Sequence, residues 1–339
     1  MKKNNFLLFL LFSCLVINCS KREKVSNILK ISSDKIDSLY TLNKKYPLND
    51  VRRYGVMPNQ GIGQHPILKK DKLEVLLDVA ENGQELFFPE GNYSRTLAIE
   101  NRKNLKLNFN NAVFTGSVLV KKSNNIRLTG KITSLIQLYT KDSKNIQIDQ
   151  IILASDTLIS SNRNRNLGCS IHSGTEDLTI KKIIIESVAS GKKFKYLKGA
   201  FIVHGHNNEP IGINVDSLFV NSSDRHGVYL TGENININFL KISRFGLGSS
   251  LEMAPMEGGI DGEQKLFAGL WIKNAHNSHI QKAILDVQNS KGSYITNFDI
   301  GDSYLPFTID SLIIRGKNPK LTRKKIEYSA VELNKTIFE

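Results

Sequence analysis

Residues 104–152 read NLKLNFNNAVFTGSVLVKKSNNIRLTGKITSLIQLYTKDSKNIQIDQII. Within this stretch Asn104-Leu-Lys-Leu107, Asn125-Ile-Arg-Leu128 and Asn145-Ile-Gln-Ile148 repeat one pattern, an Asn followed by alternating apolar and polar residues. Leu107, Leu128 and Ile148 stand 21 and 20 residues apart. A second apolar segment follows, as in Ala112-Val-Phe114 and Ile151-Ile152. Alternation with a period of two buries one face of a strand, and Asn tolerates the left-handed backbone of a sharp corner. A strand pattern returning at this interval predicts a solenoid in which each coil buries its inward residues against its neighbours. Leucine-rich repeats share the period but need a Leu/Asn consensus that is absent here. A sandwich of short strands is the alternative.

The pattern continues outward from this stretch. Ile213-Asn-Val215 with Leu218-Phe-Val220 is followed by Ile235-Asn-Ile237 with Phe239–Ile242, and Val215 and Ile237 are 22 residues apart. Further copies are Leu178-Thr-Ile180 with Ile183–Ile185, Ile280 with Ile284–Val287, and Phe307-Thr-Ile309 with Leu312–Ile314. Longer steps imply loops inserted into a coil. Upstream, Lys72–Ala80 places apolar residues at 73, 76, 77 and 80, the spacing of an amphipathic helix. It lies between Val51-Arg-Arg-Tyr54-Gly55-Val56 and Phe87-Phe-Pro89-Glu-Gly91-Asn-Tyr93. This order of Tyr-Gly, helix and a strand ending in Pro-x-Gly-x-Tyr resembles the opening of the pectate-lyase-like β-helix superfamily. The resemblance covers roughly residues 51–320 and implies an all-β, right-handed parallel β-helix, with the domain assigned to 49–339. It also implies that the helix covers the otherwise open N-terminal end of the solenoid. The superfamily holds lyases, hydrolases, epimerases and non-enzymes, so the fold alone assigns no activity.

Composition narrows the partners. The 339 residues are 40% hydrophobic and 23% charged, which excludes wholesale disorder and a multi-span membrane protein. With 46 Lys+Arg against 32 Asp+Glu the net charge is +14. An acidic polysaccharide or an anionic membrane surface suits that balance. The lysines are dispersed rather than gathered in an arm, so no nucleic-acid partner is expected.

The first residues address the chain to the cell envelope. Lys2 and Lys3 precede the apolar run Phe6–Ile17, too short to span a bilayer as a mature helix. Leu15-Val-Ile-Asn-Cys19 resembles a bacterial lipobox, which implies a signal peptide over 1–18 and acylation of Cys19 in an envelope lipoprotein. The polar residues 19–48 read as a tether. Only Cys169 would then remain as a thiol, so neither an intramolecular disulfide nor a zinc–thiolate site is available.

Four segments align, glycine on glycine, as one strand in successive coils: Gly168-Cys-Ser-Ile171, Gly199-Ala-Phe-Ile202, Gly227-Val-Tyr-Leu230 and Gly269-Leu-Trp-Ile272. Alternation then points Ser170, Phe201, Tyr229 and Trp271 outward, with His172, Val203, Thr231 and Lys273 in the next outward column. Aromatic side chains in such a column either stack on sugar rings or lie under a loop. Four of the seven histidines fall between 172 and 226. Substrate contacts are assigned to His172, Lys198, Phe201, His204, His206 and Trp271. The pair His204-Gly-His206 is also a candidate for metal ligation.

Ser223-Asp224-Arg225-His226-Gly227 resembles the Asp-Arg-His-Gly segment of the mannuronan C-5 epimerases, whose Arg and His point into the substrate groove. The resemblance implies groove positions for Arg225 and His226, with Asp224 orienting one of them. Abstraction of the C5 proton of a uronate needs a cation on the carboxylate and a base. Arg225 or Lys273 supplies the cation, His226 or a lysine the base, and Tyr229 the proton donor. The Asp-Pro-His segment of the epimerases is absent, which favours a polysaccharide lyase acting by β-elimination. A hydrolase would instead need paired carboxylates, Asp224 with Glu252, Glu257, Asp261 or Glu263 from the loop 251–263, which also suits a Ca²⁺ ion. A non-catalytic glycan-binding solenoid is the third reading.

Overall fold

The computed structural model describes residues 39–81, 84–154, 166–188, 199–205, 208–247, 267–290, 293–297, 307–316, 326–327 and 331–339. Residues 1–38, with the expected signal peptide and Cys19, lie outside them. No helix among the described residues is long and apolar enough to cross a membrane.

Among the described residues the named strands pair in parallel throughout, with one isolated antiparallel bridge at Gln64–Asp71, which argues against a sandwich of short strands. In the first ladder Leu97–Glu100, Val118–Lys121, Gln137–Lys141, Gly168–His172 and Gly199–His204 stack in order. His226, Ala268, Ser293 and Ile326 begin its next rungs. A second ladder stacks Leu107 on Leu128, Ile148, Ile180, Val215, Ile237, Ile280 and Ile309. A third stacks Phe114, Ser134, Leu153, Ile185, Val220 and Ile242. The inward side chains of all three ladders join in one core. The repeat read from the sequence thus returns as successive rungs of three parallel strand ladders.

The corners explain the Asn repeat. Asn104, Asn125, Asn145, Asp177, Gly212, Asn234 and Asn277 occupy one corner in successive coils, with φ between 47° and 72°. That left-handed conformation suits Gly, Asn and Asp. The amides also bond along the stack: Asn125 donates to Asn104 at 2.6 Å, and Asn277 to Asn234 at 2.5 Å.

Helix α1 (Lys72–Glu81) buries Leu73, Leu76, Leu77 and Ala80 in the same core as the first coils. Asp71 accepts the Leu73 N–H at 2.9 Å and so caps its start. At its end Asp78 and Glu81 grip Arg102 at 2.6 and 2.7 Å. Beneath it Phe88 stacks on Phe109 at 4.8 Å and Tyr93 on Phe114 at 5.2 Å.

The tether expected over 19–48 is docked where it is described. Leu42 and Asn43 N–H groups donate to Arg53 O at 2.9 Å, and Tyr54 Oη donates to Leu48 O at 2.6 Å. Tyr40 packs against the core, and its carbonyl lies 3.3 Å from the buried His65 Nε2. Paired backbone groups, rather than polar composition, decide that residues 40–48 belong to the folded domain.

Candidate functional site

The outer side of the first ladder carries the residues singled out above, with one correction. Phe201 pairs with Cys169 and Val228, and Ile202 with Ser170 and Tyr229. Phe201 is therefore an inward core residue and Ile202 stands in the outward column. The position that matches Gly168, Gly227 and Gly269 is Ala200, not Gly199, which pairs with His226. One residue of slip flips a strand's side chains to the opposite face. Val203 is inward for the same reason, and His204 takes its place beside His172.

With that register the outer column runs Leu119, Tyr139, Ser170, Ile202, Tyr229, Trp271. The next runs Lys121, Lys141, His172, His204, Thr231, Lys273 by continuation of the same pairings. Their rings form a continuous chain. Tyr139 stacks on His172 at 4.9 Å, His172 meets His204 at 6.2 Å, and His204 meets Tyr229 edge-on at 5.7 Å. Tyr229 lies parallel to Trp271 at 6.4 Å, and His226 packs on Trp271 at 4.5 Å and on Phe267 at 5.6 Å. Thus His172, His204, His226, Tyr229 and Trp271 do converge. Tyr139, Ile202 and Phe267 complete the row.

The row has two environments. Tyr229 and Trp271 are 2% exposed and His226 is fully buried, so these groups form a covered wall. Tyr139, His172, His204 and Lys273 are half-buried, while Lys141 is exposed. The open part thus lies around Tyr139, His172 and Lys141. Burial holds the Tyr139 phenol above its usual pKa, against the opposing pull of Lys121, whose Nζ lies 5.7 Å from the ring centroid.

The Asp224–His226 segment is a tightly bonded turn. Ser223 Oγ accepts the Arg225 N–H at 3.2 Å and donates to His226 O at 2.7 Å. Gly246 N–H donates to Arg225 O at 2.8 Å. Arg225 is 2% exposed. Burial lowers its guanidinium to a pKa of about 10, with Asp224 pulling the other way, so it remains a cation at neutral pH. His226 Nδ1 accepts the Ala268 N–H at 2.9 Å. A ring nitrogen that accepts carries no hydrogen, so the neutral ring bears its hydrogen on Nε2. In that form His226 is a donor, which corrects its assignment as the base.

Glu209 is a carboxylate the sequence did not single out. It accepts from Thr231 Oγ1 at 2.7 Å and from Gly205 N–H at 2.8 Å, beside His204. Lys198, His206, Glu252, Glu257, Asp261 and Glu263 lie outside the described residues. Among the described residues no cluster of three His, Cys, Asp or Glu side chains suits a metal ion. Cys169 is an inward core thiol whose pKa burial raises.

Comparison with protein-family models, curated proteins and solved structures finds no match to this chain.

Proposed function

We propose that this chain is a right-handed parallel β-helix, closed at its N-terminal end by α1, and acts as a polysaccharide lyase on a uronate-containing polymer. In the same reading it is exported to the bacterial envelope and acylated at Cys19. The observation that carries the activity is the open end of the ring row. There a phenol, two imidazoles and a lysine stand on adjacent coils of one face.

Lys141 neutralises the uronate carboxylate, which acidifies the C5 proton. His172 removes that proton, the electron pair forms the C4–C5 double bond, and the C4–O bond breaks. Tyr139 gives its proton to the departing oxygen, and burial helps to keep the phenol protonated until then. His204 and Lys273 extend the contact along the polymer. Tyr229 and Trp271, with His226 packed on Trp271, continue the row beyond the open end as a covered wall.

The test is ultraviolet absorbance of the unsaturated uronate product on alginate, pectate and glycosaminoglycans. A signal that is lost in His172→Ala and Tyr139→Phe supports the reading. New reducing ends without the chromophore indicate a hydrolase. Solvent exchange at C5 without cleavage indicates an epimerase. Retention of the polymer without any reaction indicates a binding solenoid.

A further inference from the structure

The outward side of the third ladder, away from the candidate site, carries two unusual columns. Val113, Thr133, Ile152, Ile184, Phe219 and Lys241 pair in succession, and all are half-buried although they point away from the core. Beside them run Lys131, Gln150, Lys182, Ser217, Phe239 and Lys282. Six rungs at about 4.8 Å spacing make a flat strip roughly 24 Å long. Phe219 and Phe239 meet at 5.6 Å near its end, with Lys182 Nζ 5.7 Å from the Phe219 ring.

Some lysines on neighbouring strands are neutralised by a carboxylate. Lys121, Lys144 and Lys181 are ion-paired with Glu100, Glu176 and Asp149. Lys131, Lys182, Lys241 and Lys282 form no ion pair with any described residue. Of the carboxylates bordering the strip, Asp149 is held by Lys181, Asp216 accepts from Asn238 at 3.2 Å, and Glu186 follows Ile185 as an exposed residue whose N–H bonds Leu153 O. The strip is thus apolar along one column and positively charged along its flank.

We propose that this face lies on an anionic lipid bilayer, with the apolar column at the headgroup boundary and the lysines against anionic headgroups. That arrangement of carbon and charge is the one by which peripheral segments hold a membrane surface. A second copy of the chain fits less well, because it would bring four uncompensated lysines against four more. A polysaccharide fits less well too. Only Thr133, Gln150 and Ser217 offer neutral hydrogen-bonding side chains, whereas sugar hydroxyls need many. The proposal is independent of the lyase reading.

The experiment is co-sedimentation of the mature chain from residue 20 onward, which lacks both the apolar run Phe6–Ile17 and the acyl-bearing Cys19, with phosphatidylglycerol-containing and pure phosphatidylcholine vesicles. The combined Lys182→Glu, Lys241→Glu and Lys282→Glu variant should lose about tenfold or more in partitioning to the anionic vesicles. The same charge change on the second ladder, Lys103→Glu, Lys106→Glu and Arg127→Glu, should stay within about twofold of the parent. Phe219→Ser with Phe239→Ser should weaken binding while leaving its salt dependence in place. Thermal melts check folding, and Lys→Gln versions of the first triple repeat the test with less perturbation. Equal losses from both triples, or no loss from the first, overturn the proposal. Vesicles that fail to bind, with the same lysines retaining a soluble acidic polysaccharide, overturn it in favour of a glycan surface.

Discussion

The main-chain N–H of Ala268 points at Nδ1 of His226 across 2.9 Å. The two residues are adjacent rungs of one ladder, so the bond ties the Asp224–His226 turn to the next coil. It selects the Nε2–H tautomer, which heteronuclear NMR of the imidazole nitrogens should show directly. His226→Ala should cost about 2–4 kcal/mol in denaturant unfolding, since it leaves a buried N–H unsatisfied and opens a cavity. A tautomer with the hydrogen on Nδ1 would contradict this arrangement.

Phe201 and Ile202 provide a test of register. Phe201 is fully buried in the core, so Phe201→Ala should lower unfolding free energy by about 3–5 kcal/mol. Its effect on activity should follow the loss of folded protein alone. Ile202→Ala trims the outer column and should cost less. A reversed order of the two values would place Phe201 back on the outer face.

Gly227 sits where a Cβ would approach Gly269 O and two Ile242 carbons at 2.8 Å. Gly227→Ala should therefore destabilise by about 1–3 kcal/mol through overpacking. Gly61, with nothing within 4 Å of an added Cβ, should accept Ala with little change in melting temperature.

Alkaline pH should unfold the domain through groups whose burial disfavours their anions. Burial holds the Cys169 thiol above its ordinary value of 9.0. Above that pH the unfolded chain releases a proton that the folded chain keeps, so stability falls as pH rises and is fully present below it. The thiol's share approaches about 1.4 kcal/mol per pH unit. Tyr139 acts with the same sign at higher pH, whereas Arg225, lowered to about 10, acts with the opposite sign above that value. Denaturant unfolding between roughly pH 9 and 10 should show a shallower slope in Cys169→Ala than in the parent. In the native state the thiol should resist alkylation.

Asn125 has φ 57° and donates its amide to Asn104 at 2.6 Å. Asn125→Leu should cost about 1–2 kcal/mol by thermal or denaturant unfolding, and Asn125→Gly distinctly less. Equal losses would show that the amide ladder, not the backbone conformation, matters at that corner.

Much of the fold was legible because its signals are local. The step from Leu107 to Leu128 and Ile148, the Asn at each corner and the apolar spacing of α1 all survive in the folded ladders. The site was legible only in part. His172, His204, Tyr229 and Trp271 share one outer face, as strand alternation requires once each strand is placed. At Phe201 the local pattern is ambiguous because Gly199-Ala200 presents two small residues in a row, and only the ladder shows that Ala200 matches Gly168 and Gly227. Tyr139 was overlooked because its coil, Gln137–Lys141, carries no glycine to align by.

By itself the sequence determined the interval of the repeat, the alternating strand pattern, the corner residues and the helix before them, since each is written in residue types at fixed intervals along the chain. Only the tertiary structure decided which side chains are covered. Burial is set by segments distant in the chain, and a one-residue register shift is nearly silent in local pattern. That is why Tyr229, His226 and Trp271 are a buried wall, why His226 is a hydrogen-bond donor, and why the exposed part of the row lies two or three rungs earlier, at Tyr139, His172 and Lys141.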